Sequence, residues 1–251
     1  MQVSDERATS FGAQADTYEA ARPDYPFEAV AWMLAALPHD SRRIADVGAG
    51  TGKLTRVLIA ASDAEVVAVD PDAAMLAKLH TTVPGVATFP GTAESLPFSD
   101  AELDAAVMGQ AWHWADPATA SAEMGRVIRP GGTLGLIWNT RDNRVEWVRR
   151  LTEIMHASAA EEMLDAGGPT VAEPFAAPES HRWEWVRPMT RAQLHSMADS
   201  RSHLITASEQ ARASIHADMD GLFDELGVHG DETIGLPYVT AAFRVQRPGG
   251  R

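Results

Sequence analysis

A glycine-rich turn between two apolar segments restricts the fold more than any other feature of the sequence. In IADVGAGTGKLT, residues 44–55, a short apolar run is typical of a buried strand and three glycines follow as a tight turn. The next segment, residues 53–62, carries apolar residues at helical spacing. The order strand, turn, helix predicts one unit of an α/β protein.

The same alternation continues through the first half of the chain. Apolar runs predict strands at residues 64–70, 86–91, 103–110 and 133–139. Helices are predicted at residues 27–37, at residues 71–83 with Pro71 as the opening residue, and after Asp116, an N-cap followed by Pro117. The sequence Arg-Pro-Gly-Gly at residues 129–132 is expected to end that last helix. Strands that alternate with helices predict a doubly wound, mostly parallel sheet.

The second half has a looser pattern. Helices are predicted at residues 145–158 and 208–226, a surface loop at 165–180, and strands at 181–186 and 233–247. We expect Pro237 to interrupt the last strand. The chain is interpreted as one domain, 1–251, with an N-terminal segment (1–40), a core (41–140) and a C-terminal half (141–251).

Composition excludes several classes of function. The net charge of -14 argues against binding to nucleic acid, which requires a basic surface. The absence of cysteine excludes disulfides, thiolate metal sites and a cysteine nucleophile, and the nine histidines show no metal-ligating spacing. No apolar window has the length of a membrane helix, so we expect a cytoplasmic protein without a membrane partner.

The spacing of the glycines limits the ligand that the turn could bind. A phosphate-binding loop needs a glycine where Val47 stands and a hydroxyl residue where Leu54 stands, so that interpretation fails. A dinucleotide fold prefers Gly-x-Gly-x-x-Gly, whereas Gly48, Gly50 and Gly52 are spaced Gly-x-Gly-x-Gly. The pyrophosphate position of a dinucleotide is therefore out of register.

A nucleoside ligand without phosphate remains. Asp70 ends the second predicted strand, where an acidic residue can hold ribose hydroxyls, and Asp46 precedes the turn, where it could face an ammonium group. S-adenosylmethionine has both a ribose and an ammonium. The alternative interpretation is that the glycines only form a tight strand-to-helix turn.

Four motifs carry a resemblance to a known family. DVGAGTGKLT, VVAVDPDAAML, GTAESLPFSDAELDAAVMGQAWHWAD and RVIRPGGTLGLIWN occur in this order within residues 44–139. They resemble the successive motifs of the class I S-adenosylmethionine-dependent methyltransferases. The segments AESLPF and WHW are most similar to the small-molecule branch that includes ubiquinone-type and trans-aconitate methyltransferases. The resemblance implies a Rossmann-like methyltransferase fold with seven strands, an N-terminal helical lid, helical insertions in the C-terminal half, and S-adenosylhomocysteine as a product.

The resemblance also implies cofactor contacts. Asp70 would bind both ribose hydroxyls, and Gln110 would lie beside the cofactor at the end of the fourth strand. The residues implied near the adenine are Pro71, Ala93 and Glu94. Those implied along the methionine end are Gly48, Ala49, Gly50 and Gly52. Thr92 departs from the pattern, because much of the family has at that position an Asp that accepts a hydrogen bond from the adenine amino group.

The acceptor is expected at the carboxyl ends of the fourth and fifth strands, residues 110–114 and 138–141, because ligands of open α/β sheets bind there. His113 is the candidate general base of these segments, and its alternative role is structural. Trp112 and Trp114 are expected to share one face by alternation. With Trp138 they either pack in the core or contact the acceptor.

Residues of the N-terminal segment are further substrate candidates, because this segment is similar to the lid of the small-molecule branch. They are Tyr18, Arg22 and Tyr25. Arg22, Arg141 and Arg144 could pair with a carboxylated acceptor, or could be solvated surface residues. His195, Arg201 and His203 have the same two interpretations.

Three functions remain open from the sequence. The first is methyl transfer from S-adenosylmethionine to oxygen or carbon of a small molecule by direct displacement. The second is another reaction on the same scaffold, such as a cyclisation, and the third is a binding module without catalysis.

Overall fold

The protein was analysed as a computed structural model that describes residues 22–37, 40–201, 204 and 207–249. Seven strands form one sheet: β1 (Arg43–Val47), β2 (Glu65–Asp70), β3 (Ala87–Pro90), β4 (Leu103–Gly109), β5 (Ile128–Arg141), β6 (Glu179–Thr190) and β7 (Thr233–Gln246). The helices of this part of the chain are α1 (Phe27–Leu34), α2 (Lys53–Ala61), α3 (Ala73–Thr82), α4 (Pro117–Val127), α5 (Glu146–Met155), α6 (Ala159–Asp165), α7 (Arg191–Asp199) and α8 (Glu209–Glu225).

The sheet is mostly parallel. Its strand order is β3-β2-β1-β4-β5-β7-β6. The first five strands pair in parallel, whereas β7 is antiparallel to both β5 and β6. The order reverses between β1 and β4, and open α/β sheets bind ligands at such a switch point. The predicted doubly wound α/β fold with seven strands is confirmed.

Helices cover both faces of the sheet because successive strand residues point to opposite sides. On β1, Ala45 and Val47 belong to an apolar cluster that includes Met124 of α4. Ile44, the residue before Ala45, points to the opposite face and packs in a cluster with Leu58 of α2. The two clusters give β1 the continuous apolar sequence expected of a strand buried on both faces.

A third apolar cluster joins the helices of the C-terminal half. Leu151 of α5, Leu194 of α7 and Phe223 of α8 are fully buried together with Leu236 of β7. The start of β7 pairs with the end of β5. These helices therefore pack at the end of the sheet where the parallel strands β4 and β5 terminate, and they border the expected acceptor region.

Three predicted helix boundaries in the first half differ from the structure, and the first is the end of α1, which lies at Leu34 and not at Leu37. Helix α3 begins at Ala73, not at Pro71, because the Asp72 carboxylate accepts hydrogen bonds from the backbone N–H groups of Ala74 and Met75 and caps it. Helix α4 ends at Val127, and the Arg-Pro-Gly-Gly segment at residues 129–132 lies within β5 at a register irregularity. Asp116 is the N-cap of α4, as predicted.

Strand β7 is continuous through Pro237, contrary to the prediction. Pro237 pairs with Val186 of β6, and its carbonyl accepts from the backbone N–H of Asp142, beyond the end of β5. The missing N–H of the proline therefore faces a position where the neighbouring strand has ended.

Helices α6 and α7 were not predicted. Most of the predicted N-terminal segment, including Tyr18, lies outside the described residues.

Across the described residues, the helices are too short or too polar for any of them to cross a lipid bilayer.

Candidate functional site

The glycine turn places backbone beside open space. Gly48, Gly50 and Gly52 have φ of 72°, 55° and 92°, a region that side chains disfavour. The N–H groups of Gly48 and Ala49 donate to the carbonyl of Val69 at 2.8 and 3.1 Å, which ties the turn to the end of β2. A Cβ atom at Gly50 would meet nothing within 4 Å. The backbone of Gly50 is therefore open to a ligand.

Asp70 connects the turn to the end of β2. Its Oδ2 accepts from the N–H of Gly50 at 2.8 Å, and its Oδ1 accepts from the N–H of Asp72 at 2.9 Å. Burial raises the pKa of this carboxyl, and the two hydrogen bonds oppose that rise. Each carboxylate oxygen can accept a second hydrogen bond, so the geometry leaves acceptor capacity for two hydroxyl groups.

Asp46, at the end of β1, has an unsatisfied oxygen. The carboxyl is fully buried, and its Oδ2 accepts from the Thr55 hydroxyl at 2.6 Å. Within the described residues, its Oδ1 has no hydrogen-bond partner. Burial, with a contribution from the negative charge of Asp70, raises the pKa of Asp46 to about 7. Because buried polar atoms are nearly always paired, this oxygen suits a cationic group of a ligand.

The predicted adenine side lies further along the same edge. Pro71 is exposed immediately after β2. Ala93 is buried in the core, whereas the Glu94 carboxylate accepts from the backbone N–H of Asp116 at 3.0 Å. Thr92 pairs through its backbone with Ser95 in an isolated bridge. Only part of the predicted set is therefore available to a ligand without rearrangement, with Pro71 the most accessible.

Gln110 links the cofactor side to a neighbouring cavity. It follows β4 with φ of 54°, and its Nε2 donates to the carbonyl of Asn139 at 2.7 Å. Left-handed backbone at a residue other than glycine is concentrated at functional sites. The glycine turn is adjacent, because a Cβ atom at Gly48 would lie 2.7 Å from the Cβ of Ala111.

The cavity beside Gln110 is polar and lies where β4 and β5 end. Its enclosed volume is about 40 Å³, room for a small polar group, and it opens to solvent. Among its lining residues are Gln110, Arg22, Arg141, Glu161 and Arg201. Two of the three arginines that the sequence grouped, Arg22 and Arg141, therefore converge.

Arg144 does not join them. It is largely exposed and pairs with Asp142 at 2.7 Å and Glu184 at 2.5 Å. The His195 imidazole contacts Asp220 at 2.8 Å on helix α8, away from the residues that line the cavity, and His203 lies outside the described residues.

Arg141, Glu161 and Arg201 form a buried ionic group. Arg141 Nη2 and Arg201 Nη2 each donate to a different oxygen of Glu161 at 2.8 Å. Burial alone would raise the pKa of Glu161, but the two guanidinium charges lower it to about 2. Burial, with the charge of Arg141, lowers the pKa of Arg201 to about 10, although Glu161 opposes this.

His113 has an environment that disfavours the predicted role of general base. Its Nδ1 accepts a hydrogen bond from Trp138 Nε1 at 3.2 Å, so the neutral ring carries its proton on Nε2. Burial, with the positive charge of Arg22, lowers the pKa of His113 to about 4. The imidazole is therefore neutral near pH 7, and it can donate a hydrogen bond through Nε2 but has no free basic nitrogen.

The tryptophans near His113 differ in burial. The predicted alternation of Trp112 and Trp114 is wrong, because residues 112–114 form a 3₁₀ turn. Trp112 is buried and donates to the carbonyl of Thr170, and Trp138 is buried against Phe243. Trp114 is partly exposed. Trp114 is therefore the tryptophan of this group best placed to contact an acceptor.

Tyr25 also reaches this region. A Cβ atom at Gly109, the last residue of β4, would lie 2.6 Å from the Tyr25 hydroxyl oxygen. The absence of a side chain at Gly109 thus leaves room for Tyr25 beside the end of β4, one residue before Gln110.

Comparison with known proteins identifies the family. A family model described as a methyltransferase domain matches residues 45–136. An uncharacterized methyltransferase of Mycobacterium tuberculosis is 42% identical over 239 residues, which are 94% of each chain. The chain belongs to the class I S-adenosylmethionine-dependent methyltransferases.

Solved structures agree with this methyltransferase at the level of the fold. A candidate type II methyltransferase of Anaeromyxobacter dehalogenans is similar with a TM-score of 0.64 at 20% identity, over 91% of this chain and 99% of that chain. A phosphoethanolamine N-methyltransferase of Haemonchus contortus, solved with S-adenosylhomocysteine, has a TM-score of 0.53 at 14% identity, over 97% of this chain and 59% of that chain. S-adenosylmethionine is the cofactor of this methyltransferase.

The residues present are compatible with that cofactor. The open face of Gly50 and the unpaired oxygen of Asp46 lie at one edge of the sheet, with the carboxylate of Asp70 between the turn and β2.

Glu161 was missed by the sequence interpretation. Its local signal is the pair Ser158 and Glu161, which form the capping box of α6.

Proposed function

We propose that this methyltransferase transfers a methyl group to oxygen or carbon of a small-molecule acceptor by direct displacement. The observation that carries the proposal is the polar cavity at the ends of β4 and β5, which Gln110 lines next to the glycine turn. Polar side chains that converge on one concave site are typical of a small-ligand site. The net charge of -14 also disfavours nucleic acid, and we infer a role in cytoplasmic small-molecule metabolism.

The cofactor residues are proposed from their positions. Bound S-adenosylmethionine supplies an electrophilic methyl group. Asp70 would accept hydrogen bonds from the ribose hydroxyls, and the unpaired Oδ1 of Asp46 would face the ammonium. The glycine turn would border the methionine end: Gly48, Ala49, Gly50 and Gly52. The adenine would lie along the outer edge: Pro71, Ala93 and Glu94.

The acceptor would occupy the cavity at the ends of β4 and β5. Gln110 lines this cavity, and the next residue, Ala111, lies beside Gly48 of the turn, so an acceptor held there would lie next to the cofactor. Tyr25 and Trp114 would border it. We infer that His113 orients the acceptor by donating from Nε2, because its Nδ1 is engaged by Trp138. Positioning of this kind can supply a large share of a displacement rate.

Calorimetric titration tests the proposal. We expect S-adenosylmethionine and S-adenosylhomocysteine to bind the purified protein with micromolar dissociation constants. Asp70→Ala should weaken both by about tenfold or more, because a hydrogen bond to a charged group contributes about 1.5–3 kcal/mol. Asp100→Ala, an exposed carboxylate before β4, is the control and should leave both affinities unchanged. Equal affinities for the wild type and Asp70→Ala would remove the ribose assignment.

Turnover is then measured as S-adenosylhomocysteine formed with a panel of small acceptors. Release that depends on one acceptor supports methyl transfer. Tight cofactor binding with conversion of a small molecule but no S-adenosylhomocysteine would instead show another reaction on the same scaffold.

A further inference from the structure

We propose that the methyl acceptor carries an oxyanion, a carboxylate or a phosphate, and that Arg141 and Arg201 bind it inside the cavity. This inference deepens the function proposed above and rests on it. It concerns the handle by which the acceptor is recognised. The acceptor atom that receives the methyl group is left to the turnover assay.

The hydrogen bonds that Arg141 and Arg201 make with described residues do not use all of their N–H donors. Arg141 donates through Nε to Thr152 at 3.1 Å and through Nη2 to Glu161. Arg201 donates through Nη2 to Glu161 and to the carbonyl of His156. Among the residues that the structure describes, the Nη1 atoms of both have no acceptor. Both arginines line the cavity, so these donors are available to a ligand.

The charges of this group do not balance. Two guanidinium groups share the single carboxylate of Glu161, and the side chains of Arg141 and Arg201 are 5% and 8% exposed. A buried cation without a full counter-charge is costly, because solvent screens it weakly. Burial first, and then the charge of Arg141, lower the pKa of Arg201. An anion in the cavity would complete the neutralisation, whereas a neutral acceptor would leave the excess charge in place.

The arginines are held in place before a ligand arrives. Arg141 is the last residue of β5, and Arg201 follows α7. Glu161 is fixed by the start of α6, where its carboxylate accepts from the backbone N–H of Ser158 at 2.8 Å. Side chains fixed in this way lose little entropy when they bind a ligand.

A surface arginine shows the contrast. Arg149 on α5 is about half exposed and pairs with Glu146 and Glu153 of its own helix at 2.7 and 2.5 Å. Such pairs are typical of a solvated helix face and contribute little. Arg141 and Arg201 instead come from separate elements and meet at a cavity.

The geometry of guanidinium selects the ligand class. Its N–H groups match the spacing of oxygens in carboxylate and phosphate, which bind with short charge-assisted hydrogen bonds. Two guanidinium groups at one cavity thus predict recognition of an oxyanion and rejection of its uncharged amide. Whether the oxyanion is a carboxylate or a phosphate is decided by measurement of both.

The experiment uses the whole protein saturated with S-adenosylhomocysteine. Succinate, benzoate and inorganic phosphate are titrated by calorimetry, with succinamide and benzamide as uncharged counterparts. We expect at least one anion to bind about tenfold or more tightly than the amides, and Arg201→Gln to lose a similar factor. The tighter of the carboxylates and phosphate identifies the class. Arg149→Gln is the matched control and should bind anions as the wild type does.

A second variant, Glu161→Gln, should change the anion affinity in the opposite direction. Glu161→Gln removes the internal competitor of the bound anion, so anions should bind more tightly and raise the melting temperature of this variant more than that of the wild type. A merely structural role of the three residues predicts no such gain. If Arg201→Gln does not fold, Arg201→Lys replaces it, because lysine keeps the charge but loses the paired N–H donors.

The outcomes separate this inference from the proposed function. Binding of S-adenosylhomocysteine with no anion binding, or with equal binding of acids and amides, overturns the oxyanion proposal alone. Unchanged anion affinity in Arg201→Gln overturns it as well. Anion binding that depends on Arg201, in a protein that does not bind S-adenosylhomocysteine, would retain the anion site and refute methyl transfer.

Discussion

Replacement of Asp46 by asparagine should make the ligand-free protein more stable at neutral pH. Asp46 is fully buried, and its pKa is raised from 3.8 to about 7. Between these values the unfolded state has lost a proton that the folded state keeps, so wild-type stability falls as pH rises. Each pKa unit corresponds to 1.36 kcal/mol, and about three units give a loss of about 4 kcal/mol by pH 7 to 8. Relaxation around the ionised group makes this figure an upper limit.

The assay is urea unfolding followed by tryptophan fluorescence, at steps from pH 4 to pH 8. Asp46→Asn keeps a polar partner for Thr55 but cannot ionise. The free energy of unfolding of the variant minus that of the wild type should be smallest near pH 4, should rise by about 1.4 kcal/mol per pH unit, and should level off above pH 7. A difference that does not change with pH would refute the argument that Asp46 is held in an unfavourable charged state.

Asp116→Asn is a control variant whose difference in stability from the wild type should depend on pH in the opposite direction. Hydrogen bonds from Thr119 lower the pKa of this exposed N-cap carboxylate. Its contribution to stability is therefore present above pH 3.8 and is lost as pH falls through the lower folded value. When the assay is extended below pH 3.8, the stability advantage of the wild type over Asp116→Asn should disappear, whereas the disadvantage of the wild type relative to Asp46→Asn should already have disappeared.

Three further predictions test the site, and two of them have a control variant. In Gly50→Ala the added Cβ would occupy the open face of the turn, so affinity for S-adenosylhomocysteine should fall. Gly131→Ala, which is also left-handed and faces open space, should keep that affinity, although both variants should lose about 1 kcal/mol of stability. Equal affinities of the two variants in calorimetry would contradict an open ligand face at Gly50. The pH profile of kcat should show no inflection near 6.5 from His113, and His113→Gln should leave cofactor affinity unchanged; an inflection lost in that variant would restore the role of base. Glu161→Gln should lower the free energy of unfolding by about 3 kcal/mol, because it leaves the buried guanidinium groups of Arg141 and Arg201 without a counter-charge; a urea midpoint equal to that of the exposed-carboxylate variant Glu153→Gln would contradict the pairing.

The central sheet was predictable because its local signals agree with the tertiary structure. The apolar runs of β1, β2 and β4 are buried on both faces, and glycines or aspartates stand at their ends. Asp116 acts as the N-cap that the sequence indicates, because a capping hydrogen bond is made within three residues. Interactions over such short distances are encoded in adjacent residues.

The error at Pro237 arose because distant residues decide the outcome, whereas two helices were missed despite local signals. Pro237 stays in β7 because β5 ends beside it, which a proline rule applied to one segment does not detect. The capping boxes of α6 and α7, Ser158 with Glu161 and Thr190 with Gln193, were present in the sequence as signals for both helices. The two boxes stand on either side of residues 165–180, the segment rich in Gly, Pro and Ala that was predicted as a surface loop.

Some residues of the candidate site are predictable from the sequence, and others are not. The glycine turn and Asp70 are recognisable from spacing, because the turn and the end of β2 are joined by local geometry. The pairing of Glu161 with Arg141 and Arg201 spans 20 and 40 residues and forms only when α6 and α7 pack over β5. The neutral state of His113 depends on burial and on Trp138, 25 residues away.

A crystal structure of the complex with S-adenosylhomocysteine tests the central claim most directly. We predict the ribose hydroxyls within hydrogen-bond distance of Asp70, the ammonium facing Asp46, and the sulfur directed past Gln110 toward the cavity of Arg141 and Arg201. A ligand bound away from the glycine turn, or a sulfur that faces away from this cavity, would contradict the proposed arrangement of cofactor and acceptor.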